Sequence, residues 1–376
     1  MLTVEKKLVT LNQDIAGQEI GIPVYRIFDP LNTTSKKVYI QSAVHAAEMQ
    51  GSAVIFKLIK HLKQLQLNAE FILVPNCNPF GRTQRAGEYL QGRYDATTGN
   101  NWNRFYHYQQ QDVVEFVDGL SASDISSIEL GNEMQLVAQF KAFLKTKLDE
   151  KIDRDWGVNT AQFLNTTLQS LAADADLVLD LHTGPSSTRH IYSPENLAES
   201  AKLFNIENII SIPMKFAGAL DEASFTPWWD LAEQLKTKHN LELNYRVDAF
   251  TVELGSQENI CLIQAKHDST GILNYLQQKN YISGFQPIEL NEITTTLLKN
   301  YKTLFSKHAG MVEYLAKAGD KIEQGQVIAR VLNSLEFDSE NAISHVVSPA
   351  TGTVILHYPS AAVQVGTQLY KIAVSN

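Results

Sequence analysis

Short apolar runs alternate with amphipathic segments through roughly the first three hundred residues. This restricts the chain to an α/β sheet carrying helices on its faces. Val38–Ser42 reads as a strand, and Gly51–Leu65 as a helix with apolar positions at Ala53, Val54, Phe56, Leu58, Ile59 and Leu62. Phe71–Val74 is a short buried strand closed by Pro75. Asp176–Leu181 and Phe250–Leu254 are two more, each followed closely by glycine. Between Asp112 and Leu171 the pattern is mostly helical, with Phe140, Phe143, Leu144 and Leu148 spaced along a single face.

The last stretch changes character. Gly310-Met311-Val312 precedes Lys321–Val331, and the layout recurs as Gly352-Thr353-Val354 followed by Val363–Ile372. Two copies of Gly-x-Val, a gap and apolar-x-x-Gly-x-x-apolar predict two similar hairpin-rich halves closing a small β barrel or sandwich. The repeat resembles the biotinyl/lipoyl-type barrel-sandwich domain, whose carriers present a lysine on a tight hairpin. The corresponding Asn333–Glu340 contains no lysine. A packing, oligomerisation or active-site-covering role is therefore expected in place of a prosthetic-group carrier.

A chain of 376 residues is more consistent with two domains than with one core. The division expected is 1–305 and 306–376. A net charge of −9 disfavours nucleic acid and anionic membrane as partners, while leaving room for a local basic pocket. No apolar run approaches a membrane span. The N-terminus lacks a signal-type apolar core. Only Cys77 and Cys261 are present, too few for a disulfide framework, so a reduced cytoplasmic protein with two buried cysteines is expected.

Five polar clusters fall at strand ends, where open α/β sheets place their ligands. His45 and Glu48 form a pair at three-residue spacing, although a glutamate near a helix N-terminus is also what the dipole favours. Asn78-Pro79 lies in a turn-rich loop, and Arg93 precedes the amide-rich Asn100–Arg104. His182 ends a very apolar strand. Glu253 lies inside another, where a carboxylate is expensive without a partner or a task. Together these residues supply the parts of a mononuclear hydrolytic zinc site. Two histidines and a glutamate would hold the ion, with Glu253 as the base and an arginine for the oxyanion.

With these parts in order, the sequence resembles the succinylglutamate desuccinylase/aspartoacylase family of the zinc carboxypeptidase-like superfamily over nearly its whole length. The family's His-x-x-Glu matches His45–Glu48, its Asn-Pro loop Asn78-Pro79, and its Asn-Arg pair Asn103-Arg104. Its later histidine matches His182 and its catalytic glutamate Glu253. The resemblance implies a mixed sheet flanked by helices, with a small C-terminal all-β barrel-sandwich domain. It also implies one Zn2+ per chain at His45, Glu48 and His182, with Glu253 as general acid/base. Asn103 and Arg104 would grip a substrate carboxylate. Arg93 best matches the oxyanion-stabilising arginine, with Arg85 as runner-up. One departure is Asn101, where the family usually carries an aspartate, which would leave an imidazole without a charged partner. Arg246, ahead of Glu253, is a candidate for selecting an acidic substrate, with an exterior salt bridge as the equal alternative.

The function expected is zinc-dependent hydrolysis of an amide bond, removing an acyl group from an N-acyl amino acid. A carboxypeptidase acting on short peptides would use the same groups. A zinc-binding interaction protein without catalysis is the third alternative, and a homo-oligomer is compatible with each.

Overall fold

The computed structural model describes residues 2–32, 36–90 and 92–375. Its centre is a nine-stranded mixed sheet made of β1 (Thr3–Gln13), β2 (Glu19–Phe28), β3 (Lys37–Ser42), β4 (Glu70–Val74), β5 (Leu177–Gly184), β6 (Arg189–Pro194), β7 (Asn208–Ile212), β8 (Asp248–Ser256) and β9 (Thr294–Leu297). The spatial order is β1-β2-β4-β3-β5-β8-β6-β7-β9. The four central strands β4, β3, β5 and β8 run parallel. β2 joins one side antiparallel and β6 the other. The opening antiparallel ribbon β1/β2 and strands β6, β7 and β9 are not among the strands expected from the sequence; none of them carries an apolar run like that of β4 or β5.

Helices cover both faces. α1 (Gln50–Leu62) and α7 (Leu262–Gln278) pack on one side; α2 (Gln110–Asp118), α3 (Ala122–Glu129), α4 (Glu133–Ile152), α5 (Thr160–Ala172) and α6 (Leu220–His239) cover the other. Strand periodicity sorts the core between them. Leu177, Leu179, Leu181, Phe250 and Val252 join the α1/α7 side, while Val178 and Ala249 join the other with Phe140 and Leu168. Asp180, His182, Thr251 and Glu253 share the parity of Val178 and Ala249. They therefore face the α2–α6 side at the carboxyl ends of the parallel strands.

The expected helix 51–65 is Gln50–Leu62, and strand β5 runs on to Gly184, so His182 lies within it. Cys77 is buried as expected, but Cys261 is exposed, at the N-cap of α7, where its sulfur accepts the Gln264 N–H. It therefore departs from the buried apolar role expected from composition. No helix of the described residues is long and apolar enough to cross a membrane.

The C-terminal region forms further β sheets whose pairing explains the sequence repeat. Gly310–Tyr314 pairs antiparallel with Val327–Leu332, and Gly352–His357 likewise with Gln368–Val374. The two halves then interlock. Lys321–Ile322 of the first pairs with Gly352–Thr353, and Ala362–Val363 of the second pairs with Gly310–Met311. Tyr301–Phe305 pairs with Gln368–Val374, and Ser186–Ser187 beyond β5 pairs with Leu356–His357. These contacts bring the C-terminal sheets against the end of β5.

Candidate metal centre

Three loops converge at the end of β3 and β5. After Ser42 the chain turns through Ala43, which is held at φ 64, a left-handed conformation a residue with a Cβ adopts at a cost of about 1 kcal/mol. The turn carries His45 and Glu48 beneath α1. That helix can approach only because Gly51 lacks a Cβ: one added there would lie 2.4 Å from Ser42 Oγ and 2.7 Å from Leu181 Cβ. The loop carrying Arg93 is pinned to the same turn, where Ala46 N–H donates to the Gly92 carbonyl at 2.9 Å. Gly92 itself has φ +58, and a Cβ there would strike Ala46. The third loop carries Asn101–Arg104. Asn165 of α5 holds it by donating to the Trp102 carbonyl at 2.9 Å and to that of Arg104. The helical region 112–171 thus caps the sheet and also ties down a loop of the site.

Glu48 is the hub, with its side chain 1% exposed. Its Oε1 lies 3.0 Å from His45 Nδ1, its Oε2 lies 3.0 Å from His182 Nδ1, and Oε2 also accepts the Thr183 N–H at 2.9 Å. Arg93 Nη1 donates to Oε1 at 2.7 Å. The outer nitrogens of both rings are held as well. His45 Nε2 is 2.7 Å from Asn101 Oδ1, and His182 Nε2 is 2.8 Å from Asp180 Oδ2. Asp180, fully buried, also accepts from Gln41 Nε2 at 2.9 Å.

One donor atom from each of His45, Glu48 and His182 lies within 4.8 Å of the others, so the trio can hold a metal ion. The donor set fits one: two imidazoles and a carboxylate leave a coordination position for water. Each ring is oriented through its far nitrogen, as metal-bound histidines are.

The local field follows from this packing. Burial raises the Glu48 carboxyl, but the two imidazoles outweigh it and hold the group well below the usual carboxylate range. Burial lowers the His45 ring against the pull of Glu48. Burial also works against a charged His182, yet Asp180 and Glu48 together keep that ring well above its ordinary value.

Glu253 stands beside His182 in the β5/β8 register. Its side chain is partly buried, and its Oε2 has no hydrogen-bond partner among the described residues. Burial pushes its carboxyl up to about 7; Glu48 and Asp180 add to the rise while His182 and Arg93 oppose it.

The other expected residues are placed as follows. Asn103 is buried with its amide nitrogen 3.4 Å from His182 Nε2, and its Oδ1 has no partner among the described residues. Arg104 is exposed, its Nη1 bonded to the Asn103 carbonyl and its stem passing Gly218. Arg93 and not Arg85 touches Glu48; Arg85 lies in an exposed two-residue strand, Arg85–Ala86. Asn78 braces the turn, donating to the Val44 carbonyl at 2.7 Å.

Arg246 is not brought to the site. It precedes β8 at the end opposite Glu253, and seven residues of largely extended chain separate the two by about 20 Å. There it is half exposed, 3.6 Å from Asp248, beside a groove lined by Trp228, Trp229 and Met214. The exterior salt bridge is the arrangement found. Asp180 was missed, although a residue two before His182 on a strand must share its face.

A family model described as the succinylglutamate desuccinylase/aspartoacylase catalytic domain matches residues 34–278. No curated protein matches the chain. Among solved structures, the chain is 39% identical to a protein from Shewanella amazonensis described as a succinylglutamate desuccinylase/aspartoacylase family protein. That match has a TM-score of 0.89 and covers 98% of each chain. A similarly described protein from Shewanella frigidimarina is 35% identical, with TM-score 0.91, covering 100% of this chain and 98% of that one. The product-bound ectoine utilization protein EutE (DoeB) from Ruegeria pomeroyi shares the fold at 16% identity and TM-score 0.66, covering 100% and 95%.

Proposed function

The chain belongs to the succinylglutamate desuccinylase/aspartoacylase family, and from that premise we propose that it is a zinc-dependent amide-bond hydrolase that deacylates an N-acyl amino acid. One observation carries the reading. The buried His45, Glu48 and His182 cluster stands beside a glutamate, Glu253, whose Oε2 has no hydrogen-bond partner among the described residues and whose carboxyl is poised near neutral pH.

His45, Glu48 and His182 would hold one zinc ion, which when bound lowers the pKa of water and polarises a carbonyl. Glu253 takes the proton of the attacking water and delivers it to the leaving nitrogen. A carboxyl near 7 gives and takes a proton with little penalty in either direction at neutral pH. Arg93, anchored at Glu48, supplies a fixed cation for the oxyanion. Asn103 and Arg104 grip the carboxylate of the amino acid, for which a guanidinium is suited by its paired donors. Asn101 orients His45 as a neutral acceptor in place of the family's aspartate, while Asp180 provides a charged partner to His182. Arg246 has no part in this set.

The same reading divides the chain into a hydrolase domain, 1–305, and a barrel-sandwich domain, 306–376, in a cytoplasmic protein. Interlocked pairing of the two C-terminal halves supports the barrel-sandwich assignment.

The test is a hydrolysis screen of N-acetyl, N-succinyl and N-formyl amino acids beside short peptides, run on wild type and Glu253→Gln. Hydrolysis of acyl amino acids by wild type, lost in a variant that keeps about one zinc per chain, is expected. Cleavage of peptides alone would assign a carboxypeptidase. Equal activity of the two proteins would refute the mechanism.

A further inference from the structure

The Asn103-Arg104 pair is held by two helices, α4 and α5, that contribute no group of their own to the site. Asn165 of α5 is fully buried, and its amide nitrogen donates to two main-chain carbonyls. One belongs to Trp102, in the peptide unit entering Asn103, and the other to Arg104, in the peptide unit leaving it. A single side chain thus brackets the dipeptide at both ends. The next residue, Phe105, turns the chain at φ 70, and its carbonyl accepts from Lys151 Nζ of α4 at 2.9 Å. Beyond it, Gln169 of α5 accepts the His107 N–H at 2.6 Å and donates to the His107 carbonyl at 2.7 Å. The stem of Arg104 is confined as well, since a Cβ on Gly218 would lie 2.7 Å from its Cδ.

Three features of this arrangement are costly, and none of them is needed to fill the core. Asn165 Oδ1 is buried without a hydrogen-bond partner among the described residues. Turning the amide over would be worse, because its oxygen would then face two carbonyl oxygens. Phe105 occupies the left-handed region, which a residue with a Cβ adopts only under constraint. Lys151 is partly buried and bonds a carbonyl but, among the described residues, no carboxylate. Burial lowers its ammonium to about 8, and Arg154 adds to the fall. Departures of this kind persist where the surrounding structure imposes them, and they gather where geometry serves function. All three fall on the stretch that carries Asn103 and Arg104. The helices themselves are fixed by ordinary apolar contacts: Phe140 of α4 and Leu164 and Leu168 of α5 are fully buried in the same core. Their polar side chains therefore pass the rigidity of that core to the loop.

We propose that Asn165, seconded by Lys151, is a positioning residue that presets Asn103 and Arg104 for an incoming carboxylate, so that α4 and α5 govern substrate affinity without touching substrate. This rests on the hydrolase reading above and deepens it. A guanidinium fork meets a carboxylate well only when its plane is already aligned. A loop ordered during folding spares the binding step the cost of ordering it. Releasing the loop weakens the hold on substrate and transition state together, which raises KM and spares kcat.

The test compares wild type with Asn165→Leu, which removes both donors, and with Lys151→Met and Lys151→Arg. The substrates are N-acetyl- and N-succinyl-alanine, each against its α-carboxamide. Wild type is expected to cleave the acid with a kcat/KM about tenfold or more above that of the carboxamide. In Asn165→Leu, KM for the acid should rise about tenfold with kcat within about twofold, and the preference for the acid should fall towards one. Lys151→Met should move the same way by less, and Lys151→Arg should restore the wild-type values. A preference that survives in both Asn165→Leu and Lys151→Met overturns the proposal. So does an equal loss of kcat on acid and carboxamide, which is the mark of general distortion. Hydrogen exchange, read by mass spectrometry on the whole protein, follows the loop independently of activity. Residues 101–107 should exchange about tenfold faster in Asn165→Leu while 37–50 keep the wild-type rate. Unchanged exchange at 101–107 also overturns the proposal. Should Asn165→Leu fail to fold, Lys151→Met carries the same two readouts. A wild type that cleaves neither acid overturns the hydrolase reading, and the positioning role is then decided by the exchange result alone.

Discussion

Replacing Glu253 by glutamine should stabilise the metal-free protein, and by an amount that grows with pH. The carboxyl ordinarily ionises at 4.5, and in the folded chain burial raises this to about 7. Between those values the folded state holds a proton that the unfolded state has released. The wild type therefore loses stability as pH rises from 4.5 to about 7, and the loss stays constant above that. Linkage with these values gives a cost of about 0.8 kcal/mol at pH 5 and about 3.4 kcal/mol at pH 8. Glutamine does not ionise, so its advantage should widen by about 2.5 kcal/mol over that interval. Urea denaturation of both proteins at pH 5 and pH 8, after metal has been stripped by a chelator, measures the difference. Burial terms common to the amide and the acid cancel between the two pH values. A widening smaller than about 0.5 kcal/mol would mean that the carboxyl is not held in the partly buried state described, with its Oε2 unbonded among the described residues, and the acid/base assignment would lose its physical basis. Adding zinc should shrink the advantage, because a nearby cation favours the ionised wild-type carboxylate.

Four further outcomes follow from the same geometry. Asp180→Asn should weaken zinc binding by about 10- to 100-fold in a chelator competition, because the His182 ring loses its charged partner; Asn101→Asp should tighten it. Gly51→Ala should cost about 1–3 kcal/mol in urea unfolding, since the new methyl would overlap Ser42 and Leu181 and push α1 away from β3 and β5. Arg93→Ala should lower kcat by about 10²- to 10³-fold, with about one zinc per chain retained by mass analysis; an unchanged kcat would remove Arg93 from the oxyanion role.

The parts of the site that were legible in the sequence are those tied to the chain by short local rules. His45 and Glu48 are three residues apart on one turn, so their convergence on a single point needs no distant information. His182 and Glu253 could be nominated because polar groups inside apolar strands are costly. Their adjacency was not legible, since it depends on β5 and β8 being neighbours in register despite more than sixty intervening residues. Arg246 illustrates the converse. It is seven residues from Glu253 in sequence, yet the extended chain through β8 carries it to the opposite end of the strands.

Sequence alone determined the α/β class, the C-terminal repeat and the identity of the groups able to bind a metal. These follow from the periodicity of side chains along a strand or helix and from the donor atoms each residue owns. Only the tertiary structure decided which of these groups meet. It places Asp180 behind His182 and Asn101 behind His45. The reason is that strand order and sheet docking are set by the packing of the whole core. No local pattern encodes which distant residue will end up within 3 Å of a given imidazole.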